Sequence, residues 1–559
     1  MKGPRRRTVH KRGQAPIDPG IGPAIALQGR VVLMDSRFQV IDNGIVYINK
    51  GEILAVHERN KPAPPEFGSI HAVDTGGTLY PGLIELHNHL SYNALKLWDV
   101  PKAYANRDRW GGTPLYRKSI SGPMTVVGKT PRLLPALVRY VECKCLLSGV
   151  TTTQGIQLAS NAGVRRFYRG IVRNVEQTNE AELPEAAARI ADVEAQDARL
   201  FLARLQKQTC FLLHLAEGVD DIARNHFLAL RLEDDEWAIT PQLAGIHCAG
   251  LEARDFDVLA QHGGATIWSP MSNLLLYGKT ANIEAAKRSG VRLAIGSDWS
   301  PTGSKNLLGE LKAARLYSQA AGGVLSDRDL VKMATSGAAS ILDWDQELGS
   351  LEAGKRADIL VIEGQAGDPY EALIRAKETA VQLVLINGIA RYGTPELMGS
   401  LCPEAETIRV GGLQRQVYLQ QATQDPDVAA VDLGEAMDTL KEAFKDMPKL
   451  AKELEKPKPL PRAAAMRALD RPEPVVWSLA LDEIQETGVD LRPRLPFGPA
   501  RALSGPSRIM AKAAPPLSTV LEPMSLDAIT VADDADFLER IANERNLPEA
   551  IKHGLPTLY

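Results

Sequence analysis

ATIWSPMSNLLLYGKTANIEAAKRSGVRLAIGSDWS, residues 265–300, decides the fold class. ATIWSPMSN reads as a strand, ANIEAAKRSG as a helix and VRLAIGSDWS as a second strand. Two neighbouring parallel strands need a crossover between them, and a helix is the usual one, so this stretch predicts one βαβ unit of a parallel sheet.

The same alternation extends upstream. TLYPGLIELHNH (78–89), VTTTQGI (150–156), RGIVRNVE (169–176), CFLLHLAEG (210–218) and LAGIHCAG (243–250) read as strands. Helical patterns fall among them in PRLLPALVRYVECKCLLSG (131–149), LPEAAARIADVEAQDARLFLARLQKQ (183–208) and LEARDFDVLAQHG (251–263). Repeated units of this kind predict an α/β chain built as a (β/α)8 barrel of the TIM type over residues 79–342.

Short strand-like runs with Gly, Asn and Asp turns flank it: IALQGRVVLMD, GIVYINKGEILAVHE and SIHAVDTGG before, LGSLEAGKRADILVIEG and AVQLVLINGIARYG after. Residues 25–78 and 343–394 are therefore expected to build one small β-sandwich from both flanks. Residues 395–559 form a C-terminal extension, helical and irregular, to which the sequence assigns no chemistry. Within it LGEAMDTLKEAFKDMPKLAKELEK is amphipathic, PKPLPRAAAMRALDRPEP suits an extended linker, and SLDAITVADDADFLERIANERNLPEAIKHG suits one or two helices. No repeat of the solenoid kind is present.

Composition narrows the function. Lys plus Arg is 65 against 68 for Asp plus Glu, a net charge of -3, so no global field draws in nucleic acid or a membrane surface. No run of eighteen uncharged apolar residues suits a membrane span. Five cysteines without a CxxC pair fit a reducing cytoplasm better than a disulfide framework. MKGPRRRTVHKRGQAP is basic with no apolar core after it, so residues 1–24 read as a disordered basic tail, not a secretory signal.

The candidate chemistry sits at the ends of the barrel strands. In PGLIELHNHLSYN (81–93), His87 and His89 would project to one face of a strand and converge where a barrel places its working groups. Alone, an HxH pair is as easily two hydrogen-bonded polar residues. His214 ends CFLLHL, with Glu217 three residues later; His247 ends LAGIH; Asp298 follows VRLAIGS. Each has a plain structural alternative, a buried histidine or a helix-capping carboxylate. The conjunction decides, since all the alternatives must hold at once to dismiss it. His10, His57, His71, His226, His262 and His553 fall in loops, helices or the tail and read as surface or structural.

HNH, HLAE, IHCAGL, SPMSN and GSDW together resemble the amidohydrolase superfamily, in its branch of metal-dependent deaminases and chlorohydrolases with guanine deaminase, cytosine deaminase and triazine hydrolases. The resemblance covers residues 25–393. It implies that His87, His89, His214 and Asp298 hold one divalent metal ion, zinc as first choice and iron as second, with Glu217, His247 and Asp298 as catalytic groups. Binuclear members use a carboxylated lysine at the end of a middle strand; RGIVRNVEQT offers arginines there and Lys207 precedes its strand, which favours a single ion.

The implied reaction is hydrolysis of a carbon–nitrogen bond other than a peptide, by a metal-bound hydroxide that attacks a nitrogen heterocycle and releases ammonia. Asp298 would take the water's proton, His247 would stabilise developing charge, and Glu217 would act as general acid. Asn273 would fix the substrate or a loop. In the long segment SYNALKLWDVPKAYANRDRWGGTPLYRKSISGPM, Trp98 or Trp110 would stack on a planar substrate and Arg107 or Arg109 would meet an anionic group. Two alternatives stay open: a cyclic-amide ring-opening enzyme resembling imidazolonepropionase, and a non-catalytic barrel acting as an interaction module. The expected partner is a small-molecule substrate, with no nucleic acid and no membrane; whether the chain is a homo-oligomer stays open.

Overall fold

The computed structural model describes residues 22–402, 404–456, 475–481 and 515–559. The basic stretch up to residue 21 and the proline-dense linker at 457–474 lie outside the described residues. Eight short strands run parallel in chain order: β1 (Leu83–Glu85), β2 (Val150–Thr153), β3 (Arg173–Asn174), β4 (Ala187–Arg189), β5 (Phe211–Leu215), β6 (Leu243–His247), β7 (Ala265–Trp268) and β8 (Arg292–Ile295). The first three form one sheet and the last five another.

Backbone contacts link the edges of these sheets. The Ala186 N–H donates to Val175 O at 2.8 Å, beside β3 and β4. At the other edges, Asn88 and Asp298 form a parallel bridge, with Asp298 N to His87 O at 3.0 Å and His89 N to Asp298 O at 2.6 Å. Residues alternate between two apolar environments, as the two-residue strand period requires. Leu212, Ala244, Ile246, Ala265, Ile267 and Ala294 share one buried cluster. Phe211, Leu213, Leu215, Leu243, Trp268 and Ile295 lie in the cluster that includes the surrounding helices.

The structure departs from three sequence expectations. The segment 183–208 is not one helix: β4 occupies Ala187–Arg189 and the helix is Ala198–Leu205. Alanine favours helix, but pairing of Ala187 to Arg189 with Phe211 to Leu213 overrides that preference. The strand read into ATIWSPMSN stops at Trp268, and a helix spans Pro270–Tyr277 with proline in its first turn, where no backbone donor is needed. The HNH motif lies beyond β1, so its histidines owe their placement to the Asn88 and Asp298 bridge and not to strand alternation.

Strands from both flanks join one nine-stranded mixed sheet. Val73–Pro81 pairs parallel with Ile25–Val32 on one side and antiparallel with Ile359–Glu363 on the other. The change of texture at Pro395 does not end this sheet. Glu406–Val410 and Leu413–Val417 extend its edge beyond Ile389–Gly393.

The C-terminal extension packs onto the parallel strands and their helices. Phe537, Ile541, Leu547, Ile551 and Leu555 bury against Met271, Leu274 and Leu275 of the helix Pro270–Tyr277. The expected amphipathic helix is present as Leu433–Lys445 and Met447–Leu454. Among the described residues no helix is long and apolar enough to cross a membrane.

Gly296 sets the approach of β8 to the HNH segment. A Cβ there would meet His87 Cβ and O at 2.6 Å and N at 2.7 Å, all closer than real contacts allow. Gly296→Ala should therefore destabilise the fold by about 1–3 kcal/mol, measured by denaturant unfolding; wild-type stability would contradict this packing.

Candidate metal centre

His87, His89, His214 and Asp298 converge. The Nε2 of His214 lies 3.2 Å from Nε2 of His87 and 3.2 Å from Nε2 of His89. Asp298 Oδ1 stands 3.3 Å from His87 Nε2 and 3.4 Å from His89 Nε2. Ligand atoms bound tetrahedrally to one zinc at about 2.0–2.1 Å stand about 3.3 Å apart. Both the spacing and the donor set, three imidazole nitrogens and one carboxylate oxygen, fit one cation of that kind. His247 joins the group, since His87, His247 and Asp298 also present ligand atoms within 4.8 Å of one another.

His87 and Asp298 are held from behind. His87 Nδ1 is 2.6 Å from Ser269 Oγ, and Ser272 Oγ donates to Asp298 Oδ2 at 2.6 Å. Glu85 accepts from Asn88 Nδ2 at 2.8 Å and from the Ser297 backbone N–H at 2.9 Å, and also from the Ser297 hydroxyl. It thus ties the HNH segment to the residue before Asp298. His247 and Asp298 have φ of +67° and +66°, and Ala216 and Cys248 each have +51°. Left-handed backbone at non-glycine residues costs energy and clusters at working sites.

Two donor chains fix the protons of the remaining groups. The Trp268 indole, which can only donate, bonds Thr280 Oγ1 at 2.7 Å, so the Thr280 hydroxyl donates to Asn273 Oδ1 at 3.1 Å. Asn273 Nδ2 therefore donates to His247 Nδ1 at 2.9 Å, which leaves the His247 proton on Nε2, toward Glu217 Oε2 at 3.7 Å. In the same way Trp110 donates to the Tyr277 hydroxyl at 3.0 Å, and Tyr277 donates to Glu217 Oε1 at 2.7 Å.

Burial holds the His87 and His214 imidazoles well below the ordinary histidine value, and neighbouring imidazoles push the same way. Burial also lowers His247 to about 4, against the pull of Glu217. All three rings are neutral at pH 7; those of His87 and His214 keep an Nε2 lone pair for a cation, while the His247 Nε2 carries its proton. For Glu217, burial pushes the carboxyl up, but His247, Arg107 and the Tyr277 hydroxyl outweigh it and the net shift is down. Glu217 is ionised at rest, so the expected general acid must first acquire its proton.

The substrate residues expected from the sequence divide. Trp110 lines the small cavity at the centre, about 30 Å³, together with Arg107, Tyr116 and Trp299. Arg107 is committed to protein groups: Nη2 to Asp192 Oδ2 at 2.6 Å, Nη1 to Ile190 O at 2.8 Å and to Glu217 Oε2 at 3.4 Å. It is not free to meet an anionic substrate. Asn273 is likewise committed, to His247 and Thr280. Trp98 is buried against Tyr104, and Arg109 is exposed; neither lines the cavity. A second cavity of about 240 Å³ adjoins it through His89, His214 and Ile190. The central space holds only a water or two, so the room for anything larger lies in the second cavity.

Sequence reasoning missed Glu85, Ser269, Ser272, Tyr277 and Asp192. Ser269 and Ser272 stood in the quoted SPMSN, and Tyr277 follows Asn273 by one helical turn. Asp192 gave no signal.

The amidohydrolase family pattern matches residues 78–390, more than half of the chain. The chain belongs to the amidohydrolase family. It is an amidohydrolase-type enzyme acting on carbon–nitrogen bonds. A 5-methylthioadenosine/S-adenosylhomocysteine deaminase of Symbiobacterium thermophilum is 24% identical over 381 residues, covering 60% of this chain and 84% of that one. An S-triazine hydrolase of Gordonia rubripertincta is 29% identical over 158 residues, 26% of this chain and 33% of that one. The zinc complex of atrazine chlorohydrolase from Arthrobacter aurescens has a TM-score of 0.51 at 21% identity, covering 66% of this chain and 94% of that one. Guanine deaminase from E. coli has a TM-score of 0.51 at 18% identity, covering 66% and 99%. These two structures show a shared amidohydrolase fold.

Two outcomes follow from the proton assignments. Asn273→Ala should lower kcat by about 10²-fold and Thr280→Val by about tenfold, with KM little changed, since neither side chain reaches the cavity; unchanged kcat in both would contradict the placing of the His247 proton. Because burial lowers the His87 and His214 values, protons displace a cation from these two ligands only at lower pH, and bound zinc measured after dialysis should stay constant from pH 8 to about pH 6. Loss beginning near 6.5 would show ordinary, unshifted imidazoles.

Proposed function

We propose that this amidohydrolase deaminates an amino-substituted nitrogen heterocycle, using one divalent cation held by His87, His89, His214 and Asp298. The observation that carries the proposal is the set of four ligand atoms joined by four contacts of 3.2–3.4 Å, beside Glu217 and His247. In this reading the two parallel sheets are arcs of one closed (β/α)8 barrel over residues 79–342, with its ligands at the carboxyl ends of β1, β5 and β8. Zinc is the first candidate, supported by the donor set and by the zinc complex of atrazine chlorohydrolase.

A cation at this point supplies a Lewis acid that makes water acidic near neutral pH. Glu217, ionised at rest, takes the first proton of the attacking water and passes it to the ring nitrogen next to the reacting carbon. His247 donates from Nε2 to the oxygen that becomes negative as the carbon–oxygen bond forms. Asp298, steadied by Ser272, takes the second proton as the carbonyl forms and delivers it to the departing ammonia. Water and amine are thereby converted to carbonyl and ammonia with no proton unaccounted for. The adenosine-derived substrates named for the Symbiobacterium relative and the guanine named for the E. coli structure support an aminopurine as first choice.

Ring opening of a cyclic amide uses the same groups but releases no ammonia. Metal analysis of the purified protein, followed by an ammonia assay over aminopurines, aminopyrimidines and aminotriazines, separates the readings. About one equivalent of zinc or iron and ammonia release are expected, and both should be lost in His214→Ala and Asp298→Ala. Turnover without ammonia would exclude deamination, and a protein that takes up no metal would remove the basis of the reading.

A further inference from the structure

The segment 515–559 lies outside the region that matches the amidohydrolase family, yet it reaches the two loops that carry three of the four proposed metal ligands, His87, His89 and Asp298. Asp527 is almost fully buried. Its Oδ2 accepts from Lys144 Nζ at 2.6 Å and its Oδ1 from Lys305 Nζ at 2.6 Å, while Lys305 also binds Asp534 Oδ2 at 2.7 Å. Both lysines are buried too. The backbone N–H of Asp527 donates to Ala94 O at 3.0 Å.

These groups lead to the ligands by short steps. Lys144 Nζ donates to Asn93 O at 2.7 Å and to Ser300 Oγ at 3.1 Å. Asn93 Oδ1 accepts from the Ser300 backbone N–H at 2.7 Å, and Asn93 Nδ2 donates to Asn88 Oδ1 at 2.9 Å. Asn88 stands between His87 and His89, and Ser300 is two residues past Asp298. Lys305 closes the second loop with a φ of +76°, a conformation that a lysine holds only when its surroundings impose it.

We propose that Asp527 is a positioning residue of the metal centre: by pairing with Lys144 and Lys305 it clamps the loops 86–94 and 297–305 at the separation one cation needs. The inference rests on reading the cluster as a metal centre. Two cations and two carboxylates balance in this pocket, so removal of one carboxylate leaves a buried ammonium short of a partner and releases both loops. Groups that orient ligands from behind typically change metal affinity by about 10- to 100-fold.

The test uses the full chain with Asp527→Asn, Asp527→Glu and the charge-balanced pair Lys144→Met with Asp527→Asn. Glu522→Gln serves as a control, since Glu522 makes an exposed pair with Lys118 in the same segment. Zinc affinity and the visible spectrum of the cobalt-loaded protein report the ligand geometry. Amide hydrogen exchange on metal-free protein reports the loops. Asp527→Asn and the double variant should weaken zinc binding by about 10- to 100-fold, alter the cobalt spectrum, and speed exchange in 86–94 and 297–305 while the nine-stranded sheet stays protected. Asp527→Glu should recover part of each, and Glu522→Gln should match the wild type. Unchanged affinity, spectrum and loop exchange would overturn the proposal, as would exchange that quickens equally in the sheet. If the wild-type chain takes up neither zinc nor cobalt, the metal reading fails, and the exchange on metal-free protein still decides whether Asp527 clamps the loops.

Discussion

Three imidazole nitrogens and a carboxylate oxygen aimed at one point are an unfavourable arrangement unless something positive occupies it. Their lone pairs face each other at 3.2–3.4 Å, inside a pocket where burial keeps the His87 and His214 rings unprotonated. Protons cannot relieve the repulsion cheaply there, because a charged imidazole is itself penalised by burial. A divalent cation relieves it at once. The fold holds the groups ready by bonding their far sides: Ser269 behind His87, Ser272 behind Asp298, and Glu85 between the HNH segment and Ser297.

That preparation extends through the helix Pro270–Tyr277. Ser272, Asn273 and Tyr277 reach Asp298, His247 and Glu217 respectively. A single element thereby sets Asp298, His247 and Glu217, the proposed ligand, proton donor and proton carrier, relative to one another. Its opposite side is covered by apolar residues of the C-terminal helices, including Phe537, Ile541 and Leu555. The extension is therefore part of the support of the site.

The sequence made the proposed metal ligands legible because the chemistry restricts residue type and the parallel strands restrict position. HNH, HLAE and GSDW each place a ligand at the end of an apolar run. The rest was hidden for physical reasons. Strand β4 lies in an alanine-rich stretch whose helical preference yields to pairing with β5. The helix Pro270–Tyr277 begins two residues after β7 ends, so strand and helix merged into one apolar pattern. Trp98 and Arg109 belong to an irregular segment with no period from which to infer direction. The Lys144 and Asp527 pair spans 383 residues, a separation at which charge signs alone say nothing about contact.

X-ray absorption at the zinc edge of the purified protein tests the central claim most directly, because it reads the atoms around the ion without requiring a substrate. The account requires a first shell of nitrogen and oxygen only, at about 2.0–2.1 Å, with the outer-shell scattering of three imidazoles. A shell containing sulfur, or one with fewer than three imidazoles, would place the ion elsewhere and contradict the account.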